Sequence, residues 1–365
     1  MPTYADLPTT PPLPGLAGVG DMNNNFNALI AALYPSSLTI NDDFSVWQNS
    51  QALGSTAVAD DIYTSCDGFY VLTQTASVNV SQLTFPENGY PFALRVTQNQ
   101  ASAQRFGLAQ IIEAADSQRY RGGNIAGQAR IRCSSSQAIR YALCEWVGTA
   151  DAVTSDIVAS WTSGTYTPGN FFLASNLNVL VVGAVTPTAN VWTDLAAVTA
   201  ACGNSANNLI LFVWTEGTAA QNVTLDFNRF LIQPGASIFK PARLPYAVNL
   251  ERCQRFLPVF DAALGASSPV GAGFLVSGTT ARITYRYPKR TLKAPTGVTV
   301  LNAANFVVEN LATSTAASGV GLVSAGTDAC EFNFTVTGLT AGRQCGLILW
   351  WVALDEDGRF SWFAH

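Results

Sequence analysis

"NVTLDFNRFLI", residues 222–232, decides how the chain is read. Val223, Leu225 and Phe227 alternate with Thr224, Asp226 and Asn228, so one face of an extended segment is apolar and the other polar. The alternation then slips. Phe230 and Ile232 continue the apolar face only if one residue near Arg229 is extra. An inserted residue of that kind is a β-bulge, so the spacing predicts a bulged strand with one face on a core.

Working outward, the same chemistry recurs in "FYVLTQTASVNV" (69–80), "QARIRCSSSQAIRYALCEWV" (128–147), "NLILFVWTE" (208–216) and "ARITYRYP" (281–288). All are rich in β-branched and aromatic residues, and Gly, Pro, Asn and Ser clusters separate them. That spacing predicts a mostly β chain of antiparallel sandwiches. The Pro-rich stretch "PGASIFKPARLPYAVNLERCQRF" (234–256) marks a boundary and carries a short helical run, "NLERCQRF". The expected order is a first sandwich over residues 38–243 and a second over 244–365. Asp357-Gly358 is read as a hairpin turn between strands 347–354 and 359–364.

The region before residue 38 differs. In residues 1–20, Pro2, Pro8, Pro11, Pro12 and Pro14 remove amide donors and fix φ, which predicts an extended peptide. Residues 21–37 carry "DMNNNFNALIAALY", where Met22, Phe26, Leu29, Ile30 and Leu33 form one apolar stripe of a helix that Pro35 ends. A helix of that length is marginal alone in water and needs a partner for its stripe. The partner is either the chain's own body or identical helices in an oligomer, and the oligomer is preferred.

Composition narrows the function. Only 12% of residues are charged, and 24 acids against 19 bases give a net charge of −5. No basic stripe of the kind that tracks phosphates is present, so nucleic-acid binding is not expected. No basic n-region with an apolar h-region opens the sequence, and no apolar run reaches membrane-spanning length, so neither an export signal nor membrane insertion is expected. Seven cysteines, with no CxxC, read as buried free thiols suited to a reducing compartment.

Catalytic machinery is hard to assemble from these residues. The one histidine is His365, and no nucleophile elbow, zinc-binding helix, P-loop or dinucleotide fingerprint occurs. Two carboxylates would suffice for glycoside hydrolysis, and Asp42, Asp43, Asp60, Asp61, Glu113 and Asp116 are the candidates. Each also fits a turn or a strand end, and a non-enzyme is expected. Asn41, Asp42 and Asp43 are also a candidate for a structural Ca²⁺, with a solvated turn preferred, and no cofactor is expected. The remaining resource is aromatic. Sugars stack on rings and hydrogen-bond to planar polar groups, which makes Trp161, Tyr166, Trp146, Tyr141 and Trp192 the candidate carbohydrate-binding residues. Trp161 and Tyr166 share the Gly/Thr/Pro-rich loop "ASWTSGTYTPGN" (159–170), and loops carry binding function.

Several segments together resemble a family of phage tail-fibre and virion spike proteins. "TINDDFSVWQNS" (39–50) is similar to that family's "NGDFSIWQRG" opening, and "DIYTSCDGFYV" (61–71) to its "YTADRWYV". "GLAQIIEAADSQRYRGGNIAGQARIRC" (107–133) resembles its "LSQRIEDVRTLAGQTVTLSFWA". "DFNRFLIQPG…NLERCQRF" (226–256) resembles its "QLEPG" strand end followed by "ELARCQRYF". "TYRYPKRTLKAPTGVTV" (284–300) is similar to "FPVPMRAAPTVT" of its head domain.

The resemblance implies a carbohydrate-binding-module-like jelly roll followed by a C-terminal β-sandwich head. It also implies a homotrimeric fibre or spike on a phage or gene-transfer-agent particle, assembled in the bacterial cytoplasm. Residues 1–20 would dock it to a capsid or tail protein, and the β domains would bind host cell-surface, capsular polysaccharide. A polysaccharide-degrading spike and a decoration fibre without a receptor are the alternatives. Two departures stand out: Asp42 takes the place of Gly in the opening turn, and "IQPG" replaces "LEPG", so the strand end loses an acid.

Overall fold

The computed structural model describes residues 37–48, 56–58, 62–64, 66–87, 89–153, 156–240, 243–256, 259–261, 268–291, 294–295, 297–300, 302–310, 313–349 and 359–363. The expected docking peptide, the helix with its Met22–Leu33 stripe, Asp60, Asp61 and the Asp357-Gly358 turn lie outside them.

The first sandwich contains β1 (Thr56–Val58), β2 (Ile62–Tyr63), β3 (Tyr70–Thr73), β4 (Val78–Glu87), β5 (Tyr90–Thr97) and β6 (Phe106–Ile112). After the short helix α1 (Ala114–Ser117) come β7 (Asn124–Cys133), β8 (Ile139–Trp146), β9 (Leu177–Val185), β10 (Thr193–Asp194), β11 (Val198–Ala201), β12 (Asn208–Thr215) and β13 (Thr224–Pro234). They form a seven-stranded sheet, β1-β4-β5-β13-β7-β10 with β11 also on β7, and a six-stranded sheet, β2-β3-β6-β12-β8-β9. Every strand pairing in these two sheets is antiparallel; β2-β3, β4-β5 and β8-β9 pair as neighbours in one sheet, while the chain crosses between sheets at β5-β6-β7-β8 and at β11-β12-β13, as in a jelly roll. β13 is bulged between Phe227 and Arg229, where the sequence spacing places the extra residue. The bulge keeps Phe227 and Phe230 both in the inter-sheet core.

That core takes Leu94, Val96, Ile131, Leu225 and Phe230 from one sheet and Val71, Leu108, Leu143, Leu211 and Val213 from the other. β12 is buried along its whole length because its outer face is covered as well. Ile210, Phe212 and Trp214 point away from the inter-sheet core into a second cluster with Phe171 and Phe172. The 147–176 connection supplies those two phenylalanines, and Ala159 N–H donates to Phe171 O at 2.8 Å within it. The continuous apolar run "NLILFVWT" is the sequence form of a strand buried on both faces.

Helix α2 (Tyr246–Gln254) follows the Pro-rich turn. Its position in the sequence groups it with the second domain, yet its buried contacts go to the first sandwich. Asn249 accepts from Asn41 N–H at 3.1 Å and donates to Asp43 Oδ1 at 3.1 Å and Ser45 Oγ at 2.9 Å. Arg252 donates to the carbonyls of Ser37 and Thr39, and Arg255 pairs with Glu113. The turn that receives the helix is itself tightly bonded: Asn41 donates to Val46 O and Asp67 O and accepts from Val46 N–H. Phe44 sits at a φ of +56°, a strained value for a bulky side chain, and its complete burial against Phe69 offsets that strain. Two of the resemblance segments, 41–48 and 226–256, thus meet through the bonds of Asn249 to Asn41, Asp43 and Ser45. All seven cysteines are free and buried, as read from their apolar contexts.

The second sandwich has a seven-stranded sheet, in spatial order β19 (Thr313–Ala316), β18 (Phe306–Asn310), β22 (Gln344–Leu349), β15 (Ser268–Leu275), β16 (Thr280–Arg286), β21 (Ala329–Thr335) and β20 (Gly319–Ala325). A three-stranded sheet joins β14 (Val259–Asp261), β23 (Arg359–Phe363) and β17 (Gly297–Val300). Ile283, Phe306, Phe332, Phe334 and Leu347 form its separate core, against which Val298 of β17 packs. The fold class expected from the sequence, two β-sandwiches in series, is the one observed.

Candidate functional site

The aromatic residues singled out by composition do not converge. Tyr141 is 2% exposed and packs between the sheets, its ring against the backbone of Gly183, so it is removed from the sugar-facing set. Trp161 and Tyr166 do come together, but as part of the cover over the six-stranded sheet. Trp161 meets Phe171 and Phe212 edge-on at 5.7 and 6.0 Å. Tyr166 contacts Phe171 and Trp214, donates its hydroxyl to Glu216 at 3.0 Å, and carries the Arg140 guanidinium 4.5 Å over its ring. The loop that reads as a surface binding loop is therefore largely a hydrophobic seal, because β12 leaves three large side chains to be covered. Trp146 packs on the same cluster and donates Nε1–H to Thr149 O. Trp192 lies elsewhere, against Arg132 of the seven-stranded sheet.

The outer face of that sheet carries an ordered row of paired polar side chains. Strand register puts Arg95 of β5 and Arg132 of β7 directly beside Asp226 of β13. Asp226 is 1% exposed and accepts a fork from each: from Arg95 Nε and Nη2 at 2.7 and 2.9 Å, and from Arg132 Nε and Nη2 at 2.9 and 2.7 Å. The hydrogen bond to Asp226 holds the Arg95 guanidinium above its ordinary pKa, against the opposite pull of its burial. Planar groups are thereby fixed in orientation, with Arg95 and Arg132 side chains still 32% and 23% exposed. The Arg132 guanidinium lies 4.6 Å over the Trp192 ring at one end of this row.

A second row runs parallel, with Arg130 opposite Arg229 on one side and Asp194 on the other. Arg130 donates to Glu87 through Nε and Nη2 and pairs with Asp194 through Nη1 at 3.0 Å. Asn228, within the bulge, donates to Glu87 Oε2. Arg130, Arg229 and Arg243 all stand 5.3–5.5 Å from the Tyr90 ring centroid. At the same β4–β5 hairpin, Phe85 sits at a φ of +49° and is 82% exposed. A bulky residue in that backbone region, with its ring in water, has no packing reason to be there.

The alternation in "NVTLDFNRFLI" placed Asp226 on the polar face of its strand, while Arg95 of β5 and Arg130 and Arg132 of β7 were not singled out. Nothing in it showed that the three strands are neighbours. Phe85 carried no sequence signal, because its exposure comes from the bulge between Thr84 and Glu87.

The carboxylate candidates have other duties. Asp43 Oδ1 already accepts from Ser45 N–H and Asn249. Burial, then the charge of Asp43, pushes the Asp42 carboxyl up to about 6. Burial pushes Glu113 up to about 7 despite its 3.0 Å salt bridge to Arg255. Among the described residues no group of three or more His, Cys, Asp or Glu side chains is placed to hold a metal ion. At the strand end that has lost an acid, Gln233 instead clasps the backbone N–H and C=O of Phe239. No described helix is long and apolar enough to cross a membrane.

No family model matches the sequence, and no curated protein matches it. Solved structures are similar to it at low identity. One is the carbohydrate-binding module TmCBM61 in complex with β-1,4-galactotriose, with 10% identity over 55% of this chain and 99% of that one, at a TM-score of 0.33. Another is the C-terminal family 22 carbohydrate-binding module of Clostridium thermocellum Xyn10B, with 11% identity, covering 52% and 100%, at 0.30. A third is bacteriophage CBA120 tailspike protein 4, with 8% identity over 46% of this chain and 19% of that one, at 0.29.

Proposed function

We propose that the protein is a non-enzymatic attachment fibre or spike of a phage or phage-derived particle. It binds host surface polysaccharide on the outer face of its seven-stranded sheet. The observation that carries the polysaccharide reading is the Arg95–Asp226–Arg132 row with Trp192 at its end and Phe85 at the neighbouring hairpin. Pre-oriented planar donors suit sugar hydroxyls, and an open ring suits a sugar C–H face. The particle reading is supported by the resemblance of segments 41–48 and 226–256 to phage fibres, and by their packing together through Asn41 and Asn249. In it, residues 1–20 dock the chain to a capsid or tail protein, and the Met22–Leu33 stripe trimerises it. Each ring contact is worth only about 0.5–1.5 kcal/mol, so display of several copies, which raises avidity by about 10²–10⁴, suits such a site.

The test is binding of the labelled full-length protein to host cells with and without capsular polysaccharide, repeated with Phe85→Ala. Binding that disappears with the capsule and weakens several-fold in the variant supports the reading. Capsule-independent binding, or an unaffected variant of wild-type stability, overturns it.

A further inference from the structure

We propose that the polysaccharide taken by this face is anionic, and that its acidic groups are met by Arg229 and Arg243 beside Tyr90. The inference rests on the reading above and specifies its ligand.

Charge on this face opposes that of the chain. The whole molecule carries −5, yet the carboxylates of the face are all engaged by more cations than they can neutralise. Asp226 is shared by Arg95 and Arg132. Glu87 and Asp194 both pair with Arg130, and Asp194 also takes Lys240 at 3.5 Å. Arg229 and Arg243 form no salt bridge among the described residues. Among the described residues Arg243 donates only to the neutral carbonyl of Gly89. The Nη1 of Arg229 is buried with no hydrogen-bond partner among the described residues. Asp42 lies near enough for Arg229 to pull its carboxyl down; burial still raises it to about 6, so at neutral pH it is largely ionised and offsets part of the Arg229 charge from a distance.

Three guanidiniums thus surround one phenol ring at 5.3–5.5 Å, two of them without a counter-charge in direct contact. Arginine stays charged at every working pH, so this repulsion cannot be relieved by deprotonation. The guanidinium–π attraction at Tyr90 offsets part of it. An anionic oxygen group would relieve the rest. Guanidinium forks match carboxylate and phosphate alike. The shared chemistry is a polymer of sugars bearing either group, and the exposed Phe85 nearby gives a ring for the sugar itself.

The experiment titrates the full chain with polygalacturonate, a phosphodiester-linked polyribitol phosphate and neutral dextran and galactan, at about 0.01 and 0.15 M salt. The Debye length falls from about 30 to about 8 Å across that range. At least one acidic polymer is expected to bind about tenfold or more tighter than the neutral ones at low salt, and to weaken several-fold at the higher salt. Arg243→Gln, which removes one exposed side chain bonded to a single carbonyl, is expected to lower acidic binding about tenfold and leave neutral binding unchanged. Arg229→Gln, accepted only with wild-type melting behaviour, should do the same. Which acidic polymer binds assigns carboxylate or phosphate. Equal affinity for neutral polymers, or an acidic preference that survives both substitutions, overturns the inference and leaves the polysaccharide reading standing. Binding to none of the polymers and to no capsule overturns that reading and the inference with it.

Discussion

Asn249 joins residues some two hundred positions apart, and replacing it tests the packing logic most directly. Its side chain accepts from Asn41 N–H and donates to Asn41 Oδ1, Asp43 Oδ1 and Ser45 Oγ, at 2.9–3.3 Å. Asn249 and Asn41 are buried, so water cannot replace these bonds. A net of about 1 kcal/mol per good bond, with the penalty of leaving the Asn41 N–H unpaired, gives a loss of about 3 kcal/mol for Asn249→Ala. For a sandwich of this size that is a fall in Tm of roughly 6–12 °C, readable by calorimetry or near-UV circular dichroism.

Asn249→Asp sharpens the test. The new carboxylate can still accept from Asn41, but it points a second anion at Asp43 Oδ1, where the amide now donates. Its folded pKa is therefore raised above the unfolded value. The stability it permits is present below the unfolded pKa, near 4, and is lost as pH rises through the folded one. The Asp variant should be less stable than the Ala variant at pH 8 and approach it near pH 5. An Asn249→Ala loss below about 1 kcal/mol, or an Asp variant as stable as the parent at pH 8, would refute the reasoning.

The other expectations are simpler. Glu113, raised to about 7 chiefly by burial, contributes stability that is complete below about pH 4.5 and lost as pH rises through 7; Glu113→Gln should gain on the parent by up to about 3 kcal/mol between pH 5 and 8, and parallel Tm–pH curves would count against it. Trp161→Ala should cost about 2 kcal/mol through lost contact with Phe171 and Phe212, without changing polysaccharide binding; weakened binding by a fully folded variant would return the site to that loop. Gly107→Ala places a Cβ about 2.5 Å from Val213 O across the β6–β12 pair and should lower stability by about 1–3 kcal/mol; an unchanged denaturation midpoint would show that the strands can part without loss.

Much of the architecture was legible from periodicity. A strand's two faces alternate by stereochemistry, so "NVTLDFNRFLI" shows its inner face, its outer face and the position of its bulge without reference to any partner. The prolines from 234 onward begin where the last strand of the first sandwich ends. The cysteines' apolar neighbours showed their burial. What covers a face is a different matter. Trp161 sits among Gly, Thr and Pro, a composition shared by open loops and by loops folded over a sheet, and only Phe212 and Trp214 beneath it distinguish the two. Asp226, Arg95 and Arg132 are more than thirty residues apart in the chain and adjacent only through the strand order β5-β13-β7. The sequence by itself determined the β class, the strand faces and the two-sandwich order, because these depend on local alternation and turn chemistry. The arginine face, the seal over β12 and the Asn41–Asn249 lock were decided by tertiary structure, because each joins residues whose proximity depends on which strands pair.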